Sequence, residues 1–179
     1  MDKKILLHTC CFTCVIYPNR WLKENNFDVM AYYYNPNIHP FKEFEKRMNA
    51  LRDYCSQEKI NLLIDEEYGL RDFLREVVNK EDQRCGICYR MRLTETARKA
   101  VSEGIGYFST TLLVSPYQNH ELLKSIGHEI AEKYNLTFVD QDWRSGFKEA
   151  QSQARETGLY MQPYCGCIYS EEERYKNKK

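Results

Sequence analysis

Residues 3–14 read Lys3-Lys4-Ile5-Leu6-Leu7-His8-Thr9-Cys10-Cys11-Phe12-Thr13-Cys14. Three consecutive aliphatic residues with no polar residue between them are the pattern of a strand buried on both faces. The run ends in a group of cysteines. A glycine-rich phosphate loop is absent from this position, so the chain lacks the usual means of binding ATP or a dinucleotide after a first strand. Cysteines stand where phosphates would lie.

The rest of the chain supplies alternating partners for that strand. Pro18 sits where the first turn of a helix accepts it, with Trp21, Leu22 and Phe27 at helical spacing. Asp28–Tyr34, rich in aromatic and branched residues, reads as a second strand, broken by Asn35-Pro36-Asn37-Ile38-His39-Pro40. Phe44, Met48, Leu51 and Cys55 mark an amphipathic helix from Phe41 to about Ile60. Asn61–Asp65 reads as a third strand and Leu70–Val78 as a helix. A turn carrying Cys85 and Cys88 then leads into a helix with Leu93, Ala97 and Val101 on one side, stopped by Gly104 and Gly106. Tyr107–Leu113 is the fourth strand, Glu121–Tyr134 a helix, Thr137–Asp140 the fifth strand and Gly146–Glu156 a helix, with Ser170 placed to cap a last one.

This alternation predicts an α/β fold. It is a Rossmann-like (HUP-type) three-layer sandwich, with a mostly parallel sheet and helices on both faces, in one domain over residues 1–179. Ligands of such sheets bind beyond the carboxyl ends of the strands. The segments His8–Cys14, Asn35–Pro40 and Ser115–His120 are therefore expected to share one cleft.

With 42% hydrophobic and 29% charged residues among 179, the chain is apolar and long enough to bury a core. No run approaches the roughly 18 apolar residues of a membrane span, and the first apolar run is too short for a signal peptide. A cytoplasmic protein with no membrane partner is expected. In a reducing compartment, grouped cysteines point to metal binding or catalysis rather than disulfides. Seven of the eight are grouped, and Cys55 stands alone. The 26 basic and 26 acidic residues cancel, so any nucleic-acid surface must be a local patch.

Three groups carry the chemistry. Cys85-Gly86-Ile87-Cys88 and Cys10-Cys11 offer four thiolates, soft ligands suited to zinc or to an iron–sulfur cluster. Neighbouring side chains diverge after a strand, so Cys10 and Cys11 are expected to reach different irons of a larger cluster, or to serve a cluster and a second centre, rather than one small ion. Cys165-Gly166-Cys167 would close a strained, easily reduced disulfide suited to a redox relay, or would bind metal with both thiolates. Cys14 is either a further ligand or a small apolar residue opening the first helix. Ser115, Gln118 and His120 read as polar ligand contacts, or as parts of a turn capping the next helix. His8 and His39 are ordinarily hydrogen-bonders. Asp140, Asp142, Trp143 and Arg144 follow the last strand toward the cleft, and Arg84, Arg90, Arg92 and Arg98 form a candidate phosphate-contacting patch on the CxxC helix.

Several blocks, in order, resemble the cobalamin-independent epoxyqueuosine reductases. They are Leu7-His8-Thr9-Cys10-Cys11, Tyr34-Asn35-Pro36-Asn37-Ile38-His39-Pro40 and Cys85-x-x-Cys88-Tyr89-x-x-Arg92-Leu93. With them go Thr110-Thr111-Leu112-Leu113-x-Ser115-Pro116-Tyr117-Gln118-x-His120, Asp142-Trp143-Arg144 and Tyr160-x-Gln162-x-Tyr164-Cys165-Gly166-Cys167. One departure is that Phe12-Thr13 stand where the family often has Ala-Pro, which leaves the role of Cys14 open.

The resemblance implies a [4Fe-4S] cluster, with an additional iron ion beside it, that reduces an epoxide to an alkene. The substrate would be tRNA carrying epoxyqueuosine at the wobble position. Cys10, Cys11, Cys85 and Cys88 are implied as cluster ligands, with Cys165 and Cys167 as a redox-active pair. A rival division gives Cys165 to the cluster and sets Cys11, Cys14 and Cys167 around the extra iron. Protons would come from His8, His39, Tyr117 or Asp142. Tyr117 or Trp143 would stack the base. Ser115, Gln118, His120, Arg144, Arg90 and Arg92 would bind substrate, and a low-potential donor of unknown identity would supply electrons to a chain expected to be monomeric. The alternatives are a zinc-stabilised RNA-binding module and a thiol–disulfide oxidoreductase using Cys85 and Cys88.

Overall fold

Ile5, Leu6 and Leu7 lose all contact with water in the computed structural model, which describes residues 3–176. Residues 1, 2 and 177–179, part of the expected one-domain span, lie outside the described residues. The strand β1 (Lys3–His8) is central because it is apolar on both faces. It pairs with β2 (Phe27–Tyr33) on one side and β4 (Tyr107–Thr110) on the other. β3 (Asn61–Ile64) and β5 (Thr137–Phe138) complete the order β3-β2-β1-β4-β5, and all four pairings are parallel.

The helices are α1 (Phe12–Glu24), α2 (Phe41–Gln57), α3 (Leu70–Val77), α4 (Arg84–Ser102), α5 (His120–Tyr134), α6 (Phe147–Glu156) and α7 (Ile168–Lys176). α1 packs on α2 and α6, while α4 packs on α3 and α5, so the sheet is flanked on both faces as a Rossmann-like sandwich. Among the described residues no helix is long and apolar enough to cross a membrane. The strand order reverses direction between β1 and β4, and a crevice at such a switch point is where doubly wound sheets bind their ligands.

Several sequence boundaries move. α1 begins at Phe12, six residues before Pro18, which lies inside it. An interior proline costs a helix about 3 kcal/mol. Starting at Phe12 places Phe12, Val15 and Ile16 in the buried face, each worth about 1.5–3 kcal/mol, so packing outweighs the break. Phe27 belongs to β2 and not to that helix. Cys85 and Cys88 lie inside the start of α4 rather than in a turn before it. The fourth strand stops at Thr110, whose hydroxyl accepts the Leu112 N–H and starts a 3-10 turn over Thr111–Val114. Ser170 lies within α7 and caps nothing there; its Oγ accepts from Gly166 N–H and donates to the Cys167 carbonyl.

Candidate metal centre

The chain leaves β1 abruptly. Thr9 N–H still bonds the Tyr32 carbonyl, but Cys10 N–H turns to Thr111 Oγ1 at 3.3 Å. Cys11 is the extended residue immediately before α1, and Cys14 lies three positions later, one helical turn on. The three Sγ atoms therefore fall within 4.8 Å of one another, all buried. This corrects the expectation that Cys10 and Cys11 diverge, because strand alternation has already ended at Thr9. Their Sγ atoms are 3.7 Å apart. Two thiolates bound tetrahedrally to one ion at about 2.3 Å would stand about 3.8 Å apart, so the trio could hold a metal ion. Gln162 Nε2 lies 2.8 Å from Cys11 Sγ and 3.0 Å from Thr13 Oγ1, closing the site from the C-terminal side.

The trio is electrostatically uneven. The neighbouring thiols of Cys11 and Cys14 hold Cys10 well below the usual thiol range, with Arg92 and His8 adding to the effect. Burial pushes Cys11 up to about 12, and the Cys10 and Cys11 sulfurs, with burial, push Cys14 well above the usual thiol range. A bound cation would hold the three sulfurs as thiolates and release their protons.

The other four grouped thiols come from α4 and the C-terminal segment, and Cys55 stands apart on α2. Cys88 and Cys167 are buried in one small apolar cluster with Phe73 and Val77, whereas Cys85 and Cys165 are exposed. Burial drives Cys88 up to about 12, and the sulfurs of Cys165 and Cys167 add to the rise. Arg92, one helical turn beyond Cys88, is buried between the two groups and carries its charge toward Cys88, Cys10 and Cys165. No disulfide joins any of the eight cysteines.

A buried clamp fixes the Cys165–Cys167 loop. Arg47 donates to the carbonyls of Cys165 at 2.8 Å and Tyr164 at 2.9 Å, and its Nε pairs with Glu43 at 2.6 Å. Tyr160 O–H donates to the same Glu43 carboxylate. Gly166 has φ of 151°, and a Cβ there would stand 3.2 Å from Asn37 and Ile38 and 3.3 Å from Arg47, so glycine is required between the two cysteines. His39 N–H reaches the Gly166 carbonyl at 2.8 Å, which brings the loop after β2 against this segment. The resulting cleft, about 890 Å³, is lined by Cys10, Cys14, Ser115, Tyr117, Gln118 and Cys165 among others. Gln118 accepts from Tyr89 O–H at 2.8 Å and points its Nε2 at Cys165 Sγ, 3.6 Å away. Cys85 opens instead into a second groove, beside Arg90 and Asn119.

Several residues expected in the cleft do other work. Burial lowers His8 to about 3, with Arg92 adding to it; its Nδ1 accepts from Thr110 O–H at 2.8 Å while Nε2–H faces the Tyr34 carbonyl. His39 is lowered to about 4 by burial, with Nε2 3.0 Å from the Pro36 carbonyl. Arg144 holds Asp142 down to about 2. At neutral pH both imidazoles are neutral and this carboxyl is ionised, so none of the three is placed as an acid. Trp143 is fully buried edge-on to Trp21 and is no stacking surface. His120 Nε2 bonds the Ser115 carbonyl at 2.9 Å, closing the turn before α5. Arg90 pairs with Glu129 at 2.6 Å, Arg84 with Glu173 at 2.5 Å, and Arg98 with Glu95 at 3.5 Å, so the arginines of α4 form no free phosphate patch. The sequence reading missed Arg47, whose partners are 118 and 117 residues away, and Gln162, which the motif before Cys165 had contained.

A doubly wound parallel sheet with clustered thiols at its switch point defines the class: an α/β protein built around a cysteine centre. Residues 5–173 match the family described as Epoxyqueuosine reductase QueH, and the chain belongs to that family. Proteins of that name from Dehalococcoides mccartyi and Thermotoga maritima are 37% and 33% identical to it, over 98% and 95% of this chain and 96% and 91% of theirs. One from Streptococcus pyogenes is 29% identical over 93% of this chain and 69% of its own. The family is one of oxidoreductases, as the motifs had implied.

Proposed function

We propose that this chain reduces the epoxide of epoxyqueuosine in tRNA to the alkene of queuosine. Two electrons and two protons enter, both C–O bonds of the ring break, and the oxygen leaves as water. The observation that carries this reading is the meeting of three buried thiols at the sheet's switch point, in a chain matched to the reductase family over residues 5–173.

The donor set fits an iron–sulfur centre: seven unbridged thiols lie in two groups with a buried cation between them. Cys10, Cys11, Cys85 and Cys88, with Cys14, Cys165 and Cys167 beside them, would hold a [4Fe-4S] cluster and an additional iron ion. Such a centre supplies electrons singly and draws electron density from the epoxide oxygen. The chain's own residues do the rest. Arg92 offsets negative charge on the thiolates, Gln162 and Thr13 orient Cys11, and Gln118 orients Cys165. Tyr117 carries its own O–H at the cleft rim and is the proposed proton donor. Electrons come from a low-potential carrier.

The 3.7 Å spacing of Cys10 and Cys11 also suits a single zinc in a non-catalytic RNA-binding module. Anaerobic purification with iron, sulfide and zinc analysis separates the two readings. Iron and sulfide bound to wild type and lost from Cys10→Ala support the reductase; a colourless protein holding zinc alone ends it.

A further inference from the structure

One wall of the cysteine cleft is positively charged and has no internal partner. Lys148, Gln151 and Arg155 line it from α6, at positions i, i+3 and i+7 of one helical face, and Arg174 joins them from α7. Among the described residues, none of these three cations pairs with a carboxylate. Two acids close to them in the chain are engaged elsewhere, Glu149 by Arg20 at 2.7 Å and Glu173 by Arg84 at 2.5 Å, and Glu156, next to Arg155 on α6, makes no ion pair with it. The arginines of α4 show the opposite arrangement, being paired or buried. From Lys148 to Arg155 the helix rises about 10 Å, roughly the axial length of three stacked nucleotides.

Tyr117 also lines this cleft. It is 83% exposed, yet its ring is held edge-on by Phe147 at 5.9 Å between centroids. A fixed aromatic face beside free cations is the combination that single-stranded RNA recognition uses, one element for bases and the other for phosphates.

We propose that the α6 wall, with Lys148, Gln151, Arg155 and Arg174, carries the phosphate backbone of the RNA strand whose base enters the cysteine cleft, while Tyr117 stacks an adjoining base. The inference takes the identity of the polymer from the reductase reading and adds which surface meets it. It moves the RNA contact from α4 to α6 and α7.

The test uses the full-length, metal-loaded protein and a transcribed unmodified tRNA, with binding measured between about 50 and 200 mM salt. The triple variant Lys148→Glu, Arg155→Glu, Arg174→Glu is compared with Lys23→Glu, Lys59→Glu, Lys80→Glu, an equal charge change on exposed sites elsewhere. All six side chains are exposed, so the fold tolerates both sets. The α6/α7 variant is expected to weaken tRNA binding at least about 10-fold and to flatten the salt slope by about 2–3, while the control set does neither. Unchanged affinity and slope, or equal losses in both variants, overturn the proposal. So does an unchanged tRNA affinity with turnover that falls only when a protein replaces dithionite as electron donor, an outcome that assigns the wall to an acidic electron carrier. Wild type that binds tRNA through this wall but forms no queuosine upholds the surface and sinks the reductase reading instead.

Discussion

Arg92 carries a charge into the interior with no carboxylate to meet it. Its Nη1 donates to Asn35 Oδ1 at 3.2 Å, its Nε has no partner among the described residues, and the groups its charge faces most strongly are the sulfurs of Cys88, Cys10 and Cys165. With only the Cys10 thiol held low and Cys88 pushed up by burial, the buried cation is poorly compensated, whereas beside metal-bound thiolates it is compensated. Arg92→Met should therefore stabilise the metal-free protein, by an amount of order 1–4 kcal/mol, while reducing the metal retained after gel filtration. A destabilised apoprotein with unchanged metal content would contradict this role.

His39 gives a pH signature at the same scale. Its folded value near 4 lies below the ordinary 6.5, so the unfolded chain binds more protons between those limits and stability falls as pH drops through that window. Urea unfolding from pH 7 to 4 should show the fall, and His39→Gln should flatten it; an equal slope in the variant would refute the assignment. Neither residue's burial was legible locally. A histidine or arginine after a turn reads as a site contact until tertiary packing shows what encloses it.

At the scale of elements, the alternation of strand and helix was readable because Ile5-Leu6-Leu7 and the aromatic second strand are unmistakable apolar runs. The boundaries that failed are the ones that built the site. Pro18 suggested a late start for α1, which hid the one-turn relation between Cys11 and Cys14. Close packing sets the other element-level limit. A Cβ on Gly127 of α5 would meet the Phe138 ring of β5 at 2.3 Å. Gly127→Ala should thus destabilise by about 1–3 kcal/mol despite alanine's better helix propensity. A melting temperature lowered by several degrees in calorimetry is expected, and a raised one would show that the ring moves aside.

Across the whole molecule, parallel topology brings the ends of β1 and β4 together, and the loop after β2 joins them through Asn35, whose Nδ2 donates to the Thr9 carbonyl at 3.0 Å. That the segments after β1 and β4 share a cleft was foreseeable from the alternation of strand and helix; the loop after β2 packs against the C-terminal segment and does not line that cleft. The disposition of the seven thiols was not, because it depends on Arg47 gripping a loop 118 residues away and on α4 burying Cys88 but not Cys85. Zero net charge likewise concealed a one-sided wall of free cations beside that cleft.

Reduction of the epoxide at the thiol centre can be followed on the substrate itself. The most direct measurement is nucleoside mass spectrometry of epoxyqueuosine-containing tRNA after anaerobic incubation with the reconstituted protein and dithionite. Wild type should convert epoxyqueuosine to queuosine, and Cys10→Ala and Cys14→Ala should each lose at least about 100-fold in rate, a loss of about 2.7 kcal/mol in transition-state stabilisation. Iron–sulfur-loaded wild type that leaves the epoxide intact, or a Cys10→Ala protein that reduces it at the wild-type rate, would contradict the account.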